Sequence, residues 1–220
     1  MNRMFFAQNV SATTPPITGL GYGRLYNGYA ASDSRLAPSG WHVPTYSDLD
    51  ILISFITYNN SGYVLKETGI IHWDSPNYAN NATGFSLLGS GYRQYFGAFE
   101  NLNIHGTVCS SEYYSSSNYF LLAENSKYTA PISGWGLNGR TFGMSVRLLK
   151  NDSVNVDTLT DYDGNVYNTV TIGTQVWTAS NWKCTKYNDG TSIPNVTSDS
   201  AWAALTTGAM CAYNNDENNV

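Results

Sequence analysis

Gly40-Trp41-His42-Val43-Pro44-Thr45-Tyr46-Ser47-Asp48-Leu49-Asp50-Ile51-Leu52-Ile53-Ser54-Phe55-Ile56 is the stretch whose periodicity decides the first structural element. Thr45 reads as a helix N-cap, and Asp48, three positions on, completes a capping box. Leu49, Leu52, Ile53 and Ile56 then recur at helical spacing and define one apolar face. Asn59-Asn60-Ser61-Gly62 ends the helix. Beyond Gly62 the text changes to strands and turns. Phe85–Leu88, Tyr119–Ala123 and Met144–Leu149 are short apolar runs separated by Gly, Asn and Ser. Between Gly89 and Gly143 the periodicity fades, which predicts long loops, and loops of that length in a compact domain are usually functional.

Outward from this block, residues 1–20 read as a tail or oligomerisation arm, with Thr13-Thr14-Pro15-Pro16 favouring extended structure. Asn151-Asp152-Ser153 reads as a turn between a first block, 21–150, and a second, 154–220. The second block opens with a hairpin signal, Asp161-Tyr162-Asp163-Gly164-Asn165, flanked by Val166-Tyr167 and Val170-Thr171-Ile172. Gly173-Thr174 makes a second turn before Gln175-Val176-Trp177. Ser198 or Asp199 caps a short helix carrying Trp202 and Leu205.

Composition narrows the function classes. Only 12 % of the 220 residues are charged, and the net charge is −5 with no basic run, which argues against a nucleic-acid partner. Seventeen tyrosines and six tryptophans, set among Ser, Gly and Asn, form the mixture typical of binding loops. Half-buried tyrosines in a β-rich fold give the same counts. No stretch is long enough to span a membrane. Cys109, Cys184 and Cys211 are odd in number and widely spaced, so they form neither a disulfide framework nor a zinc site. His42, His72 and His105 share no ligand spacing. Asp161, Asp163 and Asn165 could offer oxygens to calcium, but a hairpin tip needs the same residues and no glutamate completes a ligand set, so no metal and no cofactor is expected. Trp41 and Trp73 read as structural rings, Cys109 as a small buried hydrophobe, and Arg147 as a buried cation that needs an acid partner.

Asp163-Gly164-Asn165-Val166-Tyr167, Ile172-Gly173, Gln175-Val176-Trp177, Lys186-Tyr187-Asn188-Asp189-Gly190, Ile193-Pro194-Asn195-Val196 and Cys211-Ala212-Tyr213-Asn214-Asn215-Asp216 resemble the opening of the Fibrobacter succinogenes major paralogous domain. Its second half is resembled by Tyr22-Gly23-Arg24-Leu25-Tyr26-Asn27, Gly40-Trp41-His42-Val43-Pro44-Thr45, Leu65-Lys66-Glu67-Thr68-Gly69, His72-Trp73, Gly84-Phe85-Ser86, Gly91-Tyr92-Arg93 and Gly143-Met144-Ser145-Val146-Arg147. Here the two halves stand in reversed order. The resemblance therefore implies either a circular permutant or halves completed by another copy. Neither block carries enough structure to cover its own apolar surface, so 154–220 is expected to pack with 21–150 as one domain, intrachain in preference to exchange. Residues 155–213 should then complete the sheet containing Phe85–Leu88 and Met144–Leu149, with Val220 ending near Gly21.

The resemblance implies an α+β, C-type-lectin-like fold related to the formylglycine-generating enzyme, with two helices, a twisted antiparallel sheet and long loops. It also implies surface proteins of bacteria, or receptor-binding proteins of phages and diversity-generating retroelements, including tail-fibre and adhesin modules, with variable residues in the region around Tyr92–Thr141. The triplets of sugar-binding calcium relatives and the paired cysteines of the oxidase relatives do not occur here. The expectation is a non-catalytic module at a bacterial or virion surface that recognises a glycan or protein receptor without inserting into a membrane. The contacts expected are Tyr95, Phe96, Phe99, Asn101, Asn103, His105, Tyr113, Tyr114, Tyr119, Tyr128, Trp135 and Asn138, with Tyr95, Tyr113, Tyr114 and Trp135 close together and exposed. The alternative is a structural or assembly subunit, a homo-oligomer whose loops contact one another.

Overall fold

The computed structural model describes residues 20–58, 62–114, 117–124, 140–153 and 155–220, with the backbone alone at 57–58, 113–114, 117–119 and 124. Residues 1–19 of the expected tail lie outside the described residues, as do 59–61 of the helix stop and Val154 of the connection between blocks. In chain order the elements are β1 (Leu25–Asn27), α1 (Gly28–Ala31), β2 (Trp41–His42), α2 (Tyr46–Tyr58), β3 (Ser90–Arg93), β4 (Phe99–Leu102), β5 (His105–Tyr114) and β6 (Ser117–Glu124). They continue with β7 (Gly143–Ser145), β8 (Leu149–Lys150), β9 (Thr158–Thr160), β10 (Val166–Ile172), β11 (Gln175–Thr178), α3 (Asp199–Ala203) and β12 (Met210–Cys211).

The capping box forms as read. Thr45 N–H donates to Asp48 Oδ2 at 2.8 Å, and Asp48 N–H donates to Thr45 Oγ1 at 3.2 Å. Leu49, Leu52 and Ile56 of α2 are buried. At α3, Ser198 is the cap, its hydroxyl accepting from Ala201 N–H. The described residues contain a further helix, α1, beyond the two expected. Asn27 caps it through Ala30 N–H at 2.9 Å, and a single turn is too short to leave a periodicity.

The strands form two five-stranded antiparallel sheets and a separate β5–β6 hairpin, an α+β arrangement. One sheet runs β12-β1-β7-β3-β4 and the other β2-β8-β11-β10-β9. Each takes strands from both sides of residue 154. β12 borders β1 through Leu25↔Cys211, and β11 borders β8 through Trp177↔Leu149. The ends of the described chain are adjacent. Leu20 N–H donates to Asn218 O, Tyr22 N–H donates to Asn219 O at 2.9 Å, and Arg24 forks onto both oxygens of Glu217.

Several expectations need correction, among them a single sheet through Met144–Leu149, since this run divides between β7 and β8 of different sheets. The stretch 89–143 is not loop text where it is described, since it holds β3 to β6. Thr107, Val108, Cys109 and Ser110 are all buried, so this part of β5 is covered on both faces and lacks alternation. Phe85–Leu88 is not a strand and joins neither sheet. It makes a single bridge, Lys66↔Leu87. The reason is Arg147. Its guanidinium takes the carbonyls of Phe85 and Ser86, at 2.7 and 2.8 Å, which a ladder would need. Arg147 also donates to Thr178 O and to Asn181 Oδ1. Its partners are four neutral oxygens rather than the expected acid, and burial pushes its pKa down to about 9.

Three tryptophans of 155–220 are buried in clusters that combine residues of both blocks. Trp177 sits among Leu49, Leu52, Ile56 and Phe85. Trp182 stacks on Tyr167 at 4.5 Å within the cluster that contains Tyr26 and Val146. Trp202 packs with Leu25 and donates to Thr141 O at 2.6 Å. Gly143 is required beneath it, because a Cβ there would lie 2.8 Å from the indole.

His72 ties Leu20 to the first block. Its Nδ1 lies 2.6 Å from Glu67 Oε2 and its Nε2 lies 2.5 Å from Leu20 O. Neither a carboxylate nor a carbonyl brings a proton, so both bonds require the doubly protonated ring. Burial opposes that charge, yet the bonds to Glu67 and Leu20 outweigh it and the pKa of His72 rises. A pKa raised by folding contributes stability fully below the unfolded value, about 6.5. The contribution is lost as pH climbs through the folded value. The stability gap between wild type and His72→Phe, measured by urea unfolding, should therefore be wider near about pH 6 than near about pH 9. A gap independent of pH would show that the ring is not held as imidazolium.

Candidate functional site

The β3–β4 hairpin turns two different faces outward and inward. Side chains alternate along a strand, so Arg93 and Phe99 share one face and Tyr92, Gln94 and Glu100 the other. The inward face is a staple. Arg93 is fully buried, lies 4.4 Å over the Trp202 ring and 4.6 Å over Phe99, and donates to Gly97 O, Val196 O, Thr197 O and Asp199 Oδ1. Phe99 packs on Tyr213 at 5.2 Å. The hairpin tip is fixed by Gln94 N–H to Ala98 O at 2.7 Å and Gly97 N–H to Gln94 O at 2.9 Å. Gly97 has φ +105°, and a Cβ there would lie 2.4 Å from Asp199.

The outward face is a chain of rings and polar groups. Asn101 Nδ2 donates to Tyr92 Oη at 2.8 Å, and Tyr92 in turn donates to Glu100 Oε2 at 3.3 Å. Gln94 Nε2 donates to the same oxygen at 2.8 Å. Burial first, and the Glu100 charge second, raise the Tyr92 pKa, so the phenol stays a donor. His105 stacks on Tyr92 at 5.9 Å, and Tyr92 meets Phe142 at 6.4 Å. Phe142 supports Tyr95 at 5.7 Å, and Tyr95 meets Phe96 edge-on at 5.1 Å. Tyr95 is 45 % and Phe96 48 % exposed. Two aromatic rings are thus presented to solvent from a tip whose backbone is locked.

Of the twelve expected contacts, this face gathers Tyr95, Phe96, Asn101 and His105. Phe99 lies on the opposite side. Asn101 and Asn103 both have positive φ, +60° and +61°, which asparagine tolerates well. Asn103 accepts the Tyr22 hydroxyl and so helps to hold the chain entry. Tyr113 and Tyr114 pair through their backbone with Asn118 and Ser117, while neighbouring Glu112 accepts Tyr46 N–H at the start of α2. The side chains of Tyr113, Tyr114 and Tyr119, and all of Tyr128, Trp135 and Asn138, lie outside the described residues, so the expected grouping of Tyr113, Tyr114 and Trp135 with Tyr95 does too. The sequence reading passed over Tyr92, Gln94, Glu100 and Phe142 as contacts. The signal for the first three was the alternation Tyr92-Arg93-Gln94 facing Phe99-Glu100 across a tight turn.

Two other places gather polar groups. At the Asp161 hairpin the carboxylate already receives four donors: Asp163 N–H, Asn165 N–H, Asn165 Nδ2 and the Tyr167 hydroxyl. Asp163 Oδ2 accepts Thr185 N–H and Thr185 Oγ1 at 2.6 and 2.7 Å. These oxygens serve the turn. No group of three or more metal-ligating side chains occurs among the described residues. A concavity of about 300 Å³ is lined by Ala31, Ala37, Trp41, His42, Thr45 and Ser111, among others. Of its polar groups, Asp33 pairs with Arg35, while Thr45 and His42 bond to Asp48 at the α2 cap. His42 sits 2.7 Å from Asn151 Oδ1 and 3.1 Å from Asp48 Oδ2. Despite burial, the bonds from His42 and Thr45 hold the Asp48 carboxyl at about 2.

No described helix is long and apolar enough to cross a membrane. No curated protein and no solved structure matches the chain. One family model, described as the Fibrobacter succinogenes major domain, matches residues 7–150.

Proposed function

The chain belongs to the Fibrobacter succinogenes major domain family, and from that premise we propose that it is a non-catalytic module recognising a glycan or protein on a cell surface. The observation that carries this reading is the exposed Tyr95–Phe96 pair on the locked β3–β4 tip, continuous with Tyr92, Gln94, Glu100, Asn101 and His105. Rigid rings supply contact area at little entropic cost, and adjacent amide and carboxylate groups orient a ligand. A non-catalytic role is supported by the cysteines. All three are buried, and burial pushes the Cys184 and Cys211 thiols up to about 11, away from nucleophilic use.

We further infer a C-type-lectin-like fold with its halves in reversed order, at a bacterial or virion surface. In support, both sheets combine strands from either side of residue 154, and residues 218–219 bond to Leu20 and Tyr22. An assembly role is favoured by one observation, the exposure of Ile70 and Ile71 at 67 % and 74 %. Oligomer mass separates the two readings. The direct test is Tyr95→Ala with Phe96→Ala, assayed on glycan and cell-surface protein arrays. Binding should fall by about tenfold or more while Tm moves by only a few degrees. Binding retained at wild-type strength would move the site elsewhere.

A further inference from the structure

Resting on the reading of this face as the binding face, we propose that its partner presents a cationic group, a lysine or arginine side chain of a protein, with Glu100 as counter-ion and Tyr95 and Phe96 as ring contacts. Glu100 is half-buried, and its Oε2 is held by two neutral donors, the Tyr92 hydroxyl and the Gln94 amide. Among the described residues no donor reaches its Oε1 and no cation pairs with it. Asp161 is likewise held by neutral donors alone, but four of them fill both of its oxygens, and several other carboxylates carry a cation. Asp33 and Asp189 pair with Arg35, Asp199 with Arg93, and Glu217 with Arg24. Lys127 lies outside the described residues, and the arginines on either side in sequence are committed. Arg93 is turned to the other side of the hairpin, and Arg140 lies 5.2 Å over the Tyr29 ring.

A fixed carboxylate beside solvent-facing aromatic rings is the arrangement that attracts an ammonium or guanidinium. The charge supplies direction, and the ring quadrupoles favour the cation's approach. The net charge of −5 adds long-range attraction for a basic surface and repels acidic glycans.

The test titrates the full chain with three probes: an N-acetylated, C-amidated tetralysine peptide, its tetra(acetyl-lysine) counterpart, and neutral maltotetraose. Binding is read by calorimetry and by amide shifts across residues 92–101. Tetralysine should bind, shift these amides, and weaken as salt is added. Glu100→Gln should weaken it by about tenfold. Asp157→Asn, an equal charge change at an exposed site away from the face, should leave it within about twofold. The inference is overturned if tetralysine does not bind, if Glu100→Gln binds it as wild type does, or if the acetylated peptide or maltotetraose binds as tightly. Maltotetraose binding that is lost in the Tyr95→Ala, Phe96→Ala variant would leave the binding face standing and remove only its preference for a cation. Tetralysine binding that ignores that variant would reject the face as well.

Discussion

A chain ending at Asn151 is expected to yield no cooperative unfolding transition, although it retains every residue matched by the family model and every residue of the proposed binding face. Its loss is measured in buried tryptophan. Trp177, Trp182 and Trp202 are each at most 1 % exposed, and removing a buried Trp costs about 3–5 kcal/mol. Three such losses, about 9–15 kcal/mol, are comparable with the whole stability of an ordinary domain, about 5–15 kcal/mol. The truncation also strips β12 from β1 and β11 from β8. Arg93 is left with Gly97 O alone of its four acceptors, and Arg147 loses Thr178 and Asn181. The rearranged chain, 155–220 joined directly to 20–151, is the complementary arm. Leu20 already bonds to Asn218, so this chain should unfold cooperatively and keep a Tm within several degrees of the parent. Calorimetry and near-ultraviolet dichroism read both. A cooperative transition in the truncated chain would show that the first block folds alone. An unfolded rearranged chain would count against the reversed order of halves.

Arg147→Leu is expected to cost about 3–5 kcal/mol, by analogy with removing one partner of a buried ionic group. At roughly 2–4 °C per kcal/mol for a chain of this size, that lowers Tm by about 6–20 °C. The cause is specific. Phe85 O, Ser86 O, Thr178 O and Asn181 Oδ1 all face the guanidinium. Leucine leaves these oxygens in the interior without a donor, each costing about 1–3 kcal/mol, partly offset by no longer burying a charge. Lys keeps the charge but offers a compact head with fewer donors than a planar fork, so Arg147→Lys should recover only part of the loss. Denaturant unfolding of the three proteins checks the order wild type, Lys, Leu. A cost for Leu below about 1 kcal/mol would mean that the loop at Phe85–Ser86 finds its own donors.

Sequence alone determined what short-range chemistry controls. Thr45 and Asp48 fix the start of α2 because a capping box needs only residues three apart. Asp161 closes its turn on Asp163 and Asn165, and Gly173 allows the Ile172↔Gln175 hairpin, for the same reason of reach. The burial of Trp41, Trp73 and Cys109 followed from their apolar character. What only the tertiary structure decided is who meets whom. Part of β5 is invisible as a strand because it is covered on both faces, and Phe85–Leu88 fails to become one because Arg147, some sixty residues away, claims two of its carbonyls. Tyr92 and Glu100 lie on one side of the hairpin and Arg93 and Phe99 on the other, where Trp202 and Tyr213 pack against them. Alternation along a strand names two faces, but only the packed partner determines which of them is inside.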